Sequence, residues 1–321
     1  MKIIGMLSVY NDGDIINEVI EHLLSQNLEL VVLDNGSTDG SFEICRKFQD
    51  KGILQLKQFQ TETFNEFLVY RMLYDMAIAH NPDWVVKIDS DEFLESGISK
   101  MNLKDAIIQV DKEGYNLIQF DRFDFFMTDD DKKNSDSIKN KLRYYSCQGD
   151  FLYRSWKYIP GITIGGSNGH YPVFPGGIGY KIFSKKFVLR HYPFRSKEQA
   201  KKKISGRLRG INLKQDKKEA NRLLGKPNLN TDFTQIFEHS ILSRYEEDGN
   251  WNHEIKLIPY ANPKPPKRED IFTNDGKLKE FPKTTLEYKR LLQEEQGKPA
   301  VKAINRVHDI KEKFLQKFSK E

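Results

Sequence analysis

The stretch Trp84-Val85-Val86-Lys87-Ile88-Asp89-Ser90-Asp91-Glu92 is an apolar run that stops at two carboxylates one residue apart. A short apolar run with a polar boundary reads as a buried strand, so this one delivers Asp89 and Asp91 to a sheet edge. The segments before it repeat a single unit. Ile3 to Val9 is strand-like, Asn11-Asp12-Gly13-Asp14 supplies turn and cap residues, and Ile15, Ile16, Val19, Ile20, Leu23 and Leu24 recur at helical spacing. Leu28 to Leu33 is again strand-like, breaks off at Asp34-Asn35-Gly36-Ser37-Thr38-Asp39-Gly40, and leads into a helical stretch with Phe42, Cys45 and Phe48. Ile53 to Phe59 predicts a third strand, and Glu62 to His80 a long helix. Strands alternating with helices at this spacing imply right-handed crossovers, an α/β class and a mostly parallel sheet flanked by helices. Ligands of such sheets bind beyond the carboxyl ends of the strands, where Ser8 to Asp14, Asp34 to Asp39 and Asp89 to Glu92 place polar clusters.

Downstream the pattern loosens. A helix is predicted near Leu103 to Val110, an aromatic strand at Asn116 to Phe126, a polar loop at Thr128 to Lys141 and a strand at Phe187 to Tyr192. Glycines, prolines and aromatics dominate Cys147 to Gly179. Beyond Arg195 the chain turns helical and basic. Asn262-Pro263-Lys264-Pro265-Pro266-Lys267 reads as a stiff linker, and Val301, Ile304, Val307, Ile310, Phe314 and Phe318 form a helical stripe in the tail. Three parts are therefore expected: a ligand-binding domain at 1–195, a basic helical segment closing the site at 196–255, and a linker with a basic C-terminal helix at 256–321.

With 321 residues, 38% hydrophobic and 12% aromatic, the chain has enough apolar surface for a substantial core, and a mean hydropathy of -0.65 predicts a soluble protein. No run approaches the about eighteen apolar residues a membrane span needs, and Met1-Lys2-Ile3-Ile4-Gly5 lacks a signal peptide's layout. Two cysteines, Cys45 and Cys147, are too few for a disulfide framework. A cytoplasmic protein is expected.

Two carboxylates at Asp89 and Asp91 suit Mg²⁺ or Mn²⁺, which takes one or two carboxylates and completes its shell with water and phosphate oxygens. The competing reading is an acidic helix cap. At the second strand end, Asp34 can accept from a nucleoside donor while small residues let a ligand approach the backbone; a plain turn with a helix cap is the alternative. No G-K-[ST] and no Gly-x-Gly-x-x-Gly occurs at these turns, so a P-loop and dinucleotide chemistry are disfavoured.

The ordered set of Ser8-Val9-Tyr10-Asn11, Asp34 to Asp39, Arg71 in the following helix and Trp84 to Asp91 resembles the donor-binding half of family-2-type glycosyltransferases of the GT-A fold, over roughly residues 1–125. The resemblance implies that Val9, Tyr10 and Asn11 flank the base of a nucleoside diphosphate sugar and that Asp34 contacts it. Asp89 and Ser90 would lie by the nucleoside sugar, Asp91 would bind the metal with Asp89 beside it, and Arg71 would brace the site unless it is an ordinary helix ion pair. Val188 to Ser196 is similar to a closing segment in some relatives, where His191 would complete the metal shell and Arg195 and Ser196 would meet the diphosphate. An inverting enzyme also needs a general base. No convincing Glu-Asp pair supplies one, since Glu247-Asp248 lies late, so Asp121, Asp124 and His170 are the candidates. Trp156, Tyr158, Tyr171 and Phe174 would suit an acceptor cleft or form core.

The implied activity is metal-dependent transfer from a nucleoside diphosphate sugar, a UDP-sugar favoured, to a carbohydrate or lipid-linked acceptor in surface polysaccharide or glycan synthesis. A non-catalytic nucleotide-sugar-binding protein is the first alternative. A haloacid-dehalogenase-type phosphatase is the second, weakened by Phe93 where that family has Thr or Val. The net charge of +5 first suggests nucleic acid, but it divides unevenly. Residues 1–194 carry 22 basic against 27 acidic residues, while Arg195 to Lys218 carries ten against two. No aromatics interleave that basic segment, so nucleic acid is not the expected partner. An acidic core holds a diphosphate only with a cation's help. The basic tail is expected to dock on the body or a partner, with peripheral contact to anionic lipid at the inner face of the membrane as the alternative.

Overall fold

The computed structural model describes residues 1–59, 66–98, 100–132, 135, 137–165, 171–209, 234–246 and 250–255. The chain divides into two compact units, the first of Met1–Thr61, Asn65–Arg195 and Ile236–Ile258, the second of Glu62–Phe64, Ser196–Gln235 and Pro259–Glu321.

In the first unit β1 (Ile3–Val9), α1 (Ile16–Ser25), β2 (Glu29–Asp34), α2 (Ser41–Arg46), β3 (Ile53–Gln58), α3 (Glu66–Ile78) and β4 (Trp84–Asp89) follow in the predicted order. Then come β5 (Glu92–Glu95), α4 (Leu103–Lys112), β6 (Leu117–Phe126), α5 (Ile138–Lys141), β7 (Tyr144–Lys157), β8 (Thr163–Gly165), β9 (Tyr171–Val173) and β10 (Phe187–His191). The main sheet has the order β3-β2-β1-β4-β7-β6-β10-β5, and the short β11 (Ser243–Arg244) adds to β7. From β3 to β4 every pairing is parallel. At β7 the sheet becomes mixed: β7 is antiparallel to β4 and β6, β10 is parallel to β6, and β5 is antiparallel to β10.

Alternation along β1 builds both layers. Ile3, Leu7 and Val9 face a core with Ile16, Val19, Ile20 and Leu23 of α1 and Leu103, Ala106 and Ile107 of α4. Ile4 and Met6 face the other core with Val69, Tyr70, Leu73 and Ala77 of α3. A strand covered on both faces reads as a continuous apolar run, which is why Ile3 to Val9 was legible.

Only Ser90 and Asp91 separate β4 from β5, yet β5 pairs with β10 at the far end of the strand order. The sheet therefore curls, and the Tyr192 amide beyond β10 donates to the Asp91 carbonyl at 2.9 Å. A strand, not a helix, follows the Asp-x-Asp pair, which removes the helix-cap reading.

Three stretches differ from expectation. Within the polar stretch 128–141, α5 forms at its end and Thr128 bridges to Phe237. In the glycine-rich stretch after Cys147, β7 runs 14 residues, its alternation hidden by irregular pairing with β6. Gly149 has φ 70°, and a Cβ there would come within 2.5 Å of Ile255. Residues 236–255, expected within a basic helical segment, return to the first unit because their aromatics find apolar cover: Phe237 is buried, and Trp251 lies over Phe123 with ring centroids 4.5 Å apart.

In the second unit α6 (Lys197–Arg209) is the described element, and the Ser196 hydroxyl accepts from the Gln199 amide at its start. The predicted linker and C-terminal helix lie outside the described residues. Among the described residues no helix is long and apolar enough to cross a membrane.

Candidate active site

Strand register gathers the predicted residues at one edge. Val9 lies opposite Asp34 and Ser8 opposite Asp89, so the carboxyl ends of β1, β2 and β4 are level. The two loops leaving β1 and β2 are laced together by four bonds. The Asn11 amide donates to Ser37 Oγ, Thr38 N to Asn11 Oδ1, Asp12 N to Ser41 Oγ and Gly13 N to Asp39 Oδ2, all at 2.8–3.0 Å. Asn11 takes φ 52°, in the left-handed region that Asn tolerates better than most residues. Predicted as helix caps, Asp12 and Asp14 instead turn to Arg195, and α1 starts without a side-chain cap.

Asp34 is completely buried. Its Oδ1 accepts from the Gly36 and Ser37 amides and from Gln58 Nε2 at 2.9–3.0 Å, while Oδ2 has no partner among the described residues. A buried acceptor without a donor is costly, so the site offers one strong acceptor to an incoming N–H. Tyr10, 42% exposed, stands two residues beyond Ser8 at the end of β1, and Val9 is buried beneath.

The Asp-x-Asp segment divides its carboxylates between two settings. Asp89 receives the Tyr70 hydroxyl on Oδ1 and Arg154 Nη2 on Oδ2 at 2.9 Å. Burial alone would raise its pKa, but the Arg154 and Lys87 cations outweigh this and hold it well below the usual carboxylate range. Ser90 Oγ donates to Asp12 Oδ2. Asp91 Oδ2 lies 3.5 Å from His191 Nε2, and His191 Nδ1 lies 2.8 Å from Asp124 Oδ1. The strand register explains the cluster, with His191 opposite both Asp124 on β6 and Glu92 on β5.

Among the described residues no group of three His, Cys, Asp or Glu side chains is arranged around a common metal position. The donor chemistry nevertheless fits an ion that completes its shell from substrate. Asp91 and His191 Nε2 are neighbouring O and N donors, and Asp124 fixes the ring from its other nitrogen, the arrangement that orients an imidazole for a metal.

Burial would lower the His191 pKa, but the Asp91 and Asp124 carboxylates outweigh it and raise it from 6.5 to about 9. Its contribution to folding stability is therefore fully present below pH 6.5 and lost as pH rises through about 9. Thermal melts from pH 6 to 10 should show wild type losing at most about 3 kcal/mol across that window and His191→Gln losing none of it. Parallel pH profiles would contradict the assignment.

The remaining candidates scatter. Arg71 pairs with Asp75 at 3.3 Å on the exposed face of α3, the ordinary helix ion pair named as its alternative. Arg195, predicted to meet the diphosphate, is fully buried and turned onto Asp12, Asp14 and the Tyr192 carbonyl. Ser196 caps the helix of the second unit. Of the base candidates, Asp124 is bound to His191 and Arg122; Asp121 sits 2.8 Å from Lys186 Nζ and 3.3 Å from His253 Nδ1; His170 lies outside the described residues, as do Glu247 and Asp248. Trp156 is core, whereas Tyr171 is 40% exposed. Sequence reasoning missed Tyr70, Glu92 and Arg154, which support Asp89. Tyr70 could have been found from its helix, four residues after Glu66; Arg154 carries no local signal.

The family described as "Glycosyl transferase family 2" matches residues 6–169 of the 321. A glycosyltransferase of Mycoplasma pneumoniae is 33% identical over 126 residues, covering 38% of this chain and 40% of that protein. The poly(ribitol-phosphate) beta-N-acetylglucosaminyltransferase TarS of Staphylococcus aureus is 28% identical over 123 residues, covering 37% of this chain and 20% of TarS. The matched part thus spans well under half the length of these curated relatives. A crystal structure of S. aureus TarS in complex with UDP superposes with a TM-score of 0.35 and 17% identity, covering 71% of this chain and 73% of that one.

Proposed function

The chain belongs to glycosyl transferase family 2, and on that premise we propose that it moves a sugar from a nucleoside diphosphate donor to a carbohydrate or lipid-linked acceptor with the help of Mn²⁺ or Mg²⁺. The observation that carries the reading is the buried, unpartnered Oδ2 of Asp34 at the level strand ends, an acceptor suited to a ring N–H of a base. Tyr10 supplies an exposed ring beside it. Asp89 takes the nucleoside sugar, while Asp91 and His191 hold the metal.

When bound, the metal would neutralise charge on the departing diphosphate. The chain's own residues do the rest. Asp124 holds His191 by its Nδ1 side so that Nε2 faces Asp91. Asp124 is engaged by His191 and Asp121 by Lys186, and one of Asp121, Asp124 or His170 deprotonates the acceptor in an inverting displacement at the anomeric carbon. The reading also places the enzyme in surface polysaccharide or glycan synthesis, on the cytoplasmic side.

A thermal-shift screen of UDP-, GDP-, CMP- and dTDP-sugars, with and without Mn²⁺, tests the proposal. One donor, a UDP-sugar first, should raise Tm with Mn²⁺ present. At a hundredfold excess over Kd the gain is about 2.7 kcal/mol. Asp34→Asn, which turns an acceptor into a possible donor, should weaken that ligand by about tenfold or more. A flat screen would overturn the reading, and donor binding without transfer to any glycan or lipid-linked acceptor would favour a binding protein.

A further inference from the structure

Arg154 reaches the Asp89 carboxylate from β7, the strand next to β4 in the sheet. On β7 the pairing with β6 runs from Ser155 opposite Ile118 to Tyr153 opposite Gln119, so Arg154 is the extra residue of a bulge. Its pairing with β4 ends at the same place, with Ser155 opposite Val86. A bulge leaves one residue out of the ladder and re-aims its side chain, often beside an active site. Here it drives a guanidinium that is 97% covered between Asp89 and Glu92, and Nη2 alone makes both contacts. Glu92 Oε2 in turn accepts the Asp89 amide at 3.2 Å, and Tyr70 from α3 holds the other Asp89 oxygen.

Two features argue against a merely structural salt bridge. Buried ion pairs are poor stabilisers compared with apolar packing of the same volume. Arg154 Nε and Nη1 also make no hydrogen bond among the described residues, so its placement serves the two carboxylates and not its own donors.

We propose that Arg154 is a positioning residue: delivered by the β7 bulge, it clamps Asp89 against Tyr70 in the one orientation that presents the carboxylate to the donor's ribose hydroxyls, leaving the metal to Asp91 and His191. This rests on the donor-binding reading above. Because Nη2 alone meets both carboxylates, a lysine ammonium keeps the charge, but its shorter stem and lack of a planar fork let it hold Asp89 only in part.

The full-length protein tests it with UDP and Mn²⁺ as probes. Arg154→Met should raise the Kd of UDP by about tenfold or more, the scale seen for groups that orient a ligand-binding residue. The Mn²⁺ affinity measured without nucleotide should stay within about twofold, and Arg154→Lys should recover only part of the UDP loss. In an Asp89→Asn background, Arg154→Met should add nothing, since it acts through Asp89. Additive losses in that cycle, or UDP binding unchanged in Arg154→Met, would overturn the clamp. Should Arg154→Met fail to fold, Tyr70→Phe removes the opposite jaw and carries the same expectation. If wild type binds no UDP at all, donor binding fails as a reading. The crystal structure of the Arg154→Met variant still decides the clamp: Asp89 turned from Tyr70 supports it, and an unmoved Asp89 overturns it.

Discussion

Alanine at position 91 is expected to end metal-dependent sugar transfer while leaving the protein folded. A catalytic metal contributes several kcal/mol to the stability of charge in the transition state, so turnover should fall by about a thousandfold or more. The fold should survive because the bond fixing the local chain path, from the Tyr192 amide to the Asp91 carbonyl, is made by backbone. The same change removes one of the two carboxylates that raise His191, so the imidazole should titrate below about 9 in the variant. Turnover with saturating donor and Mn²⁺, thermal melts and an NMR titration of His191 measure the three consequences. Undiminished activity would remove Asp91 from the metal site, and with it the reason to place an ion there.

Arg195→Met should produce the largest loss of stability. The guanidinium spends Nε and Nη2 on Asp14, Nη2 on Asp12 and Nη1 on the Tyr192 carbonyl, at 2.6–2.9 Å. Asp14 is half-exposed and can return to water, but Asp12 is buried and would be left with Ser90 alone on its side chain. Stranding one partner of a buried pair costs about 3–5 kcal/mol, which in a domain of this size lowers Tm by roughly 10 °C. Asp12→Asn in the same chain should restore part of the loss, because an amide tolerates the site better than an unpaired carboxylate. A Tm shift under about 2 °C would mean the cluster is solvated. Donor binding should also weaken, since Asp12 links the β1 loop to Ser90 of the Asp-x-Asp segment.

What could be read in advance follows the range of the interactions. The strands at Ile3–Val9, Glu29–Asp34 and Trp84–Asp89 were legible because burial on both faces writes a continuous apolar run into the chain. Asp34, Asp89 and Asp91 were legible because parallel strands must end at one edge. By contrast β7 was hidden, since its bulge and Gly149 break the alternation that marks a strand. The fate of Arg195 was invisible for a different reason: its partner Asp14 lies 181 residues away, and a cation beside a basic segment gives no sign that it will be buried. Arg154 and Glu92 were missed likewise, since only the pairing of β7 with β4 brings residues 62 positions apart together.

The polypeptide leaves the first compact unit at Arg195 and re-enters it at Ile236. Residues 196–235, which belong to the second unit, therefore stand in the sequence between two parts of the first, and the point of exit is the arginine that ties Asp12 and Asp14 down. An expression fragment ending at Arg195 would strip Tyr245 and Trp251 from the rings of Phe123 and Phe125 and Phe237 from that of Phe126, and should aggregate.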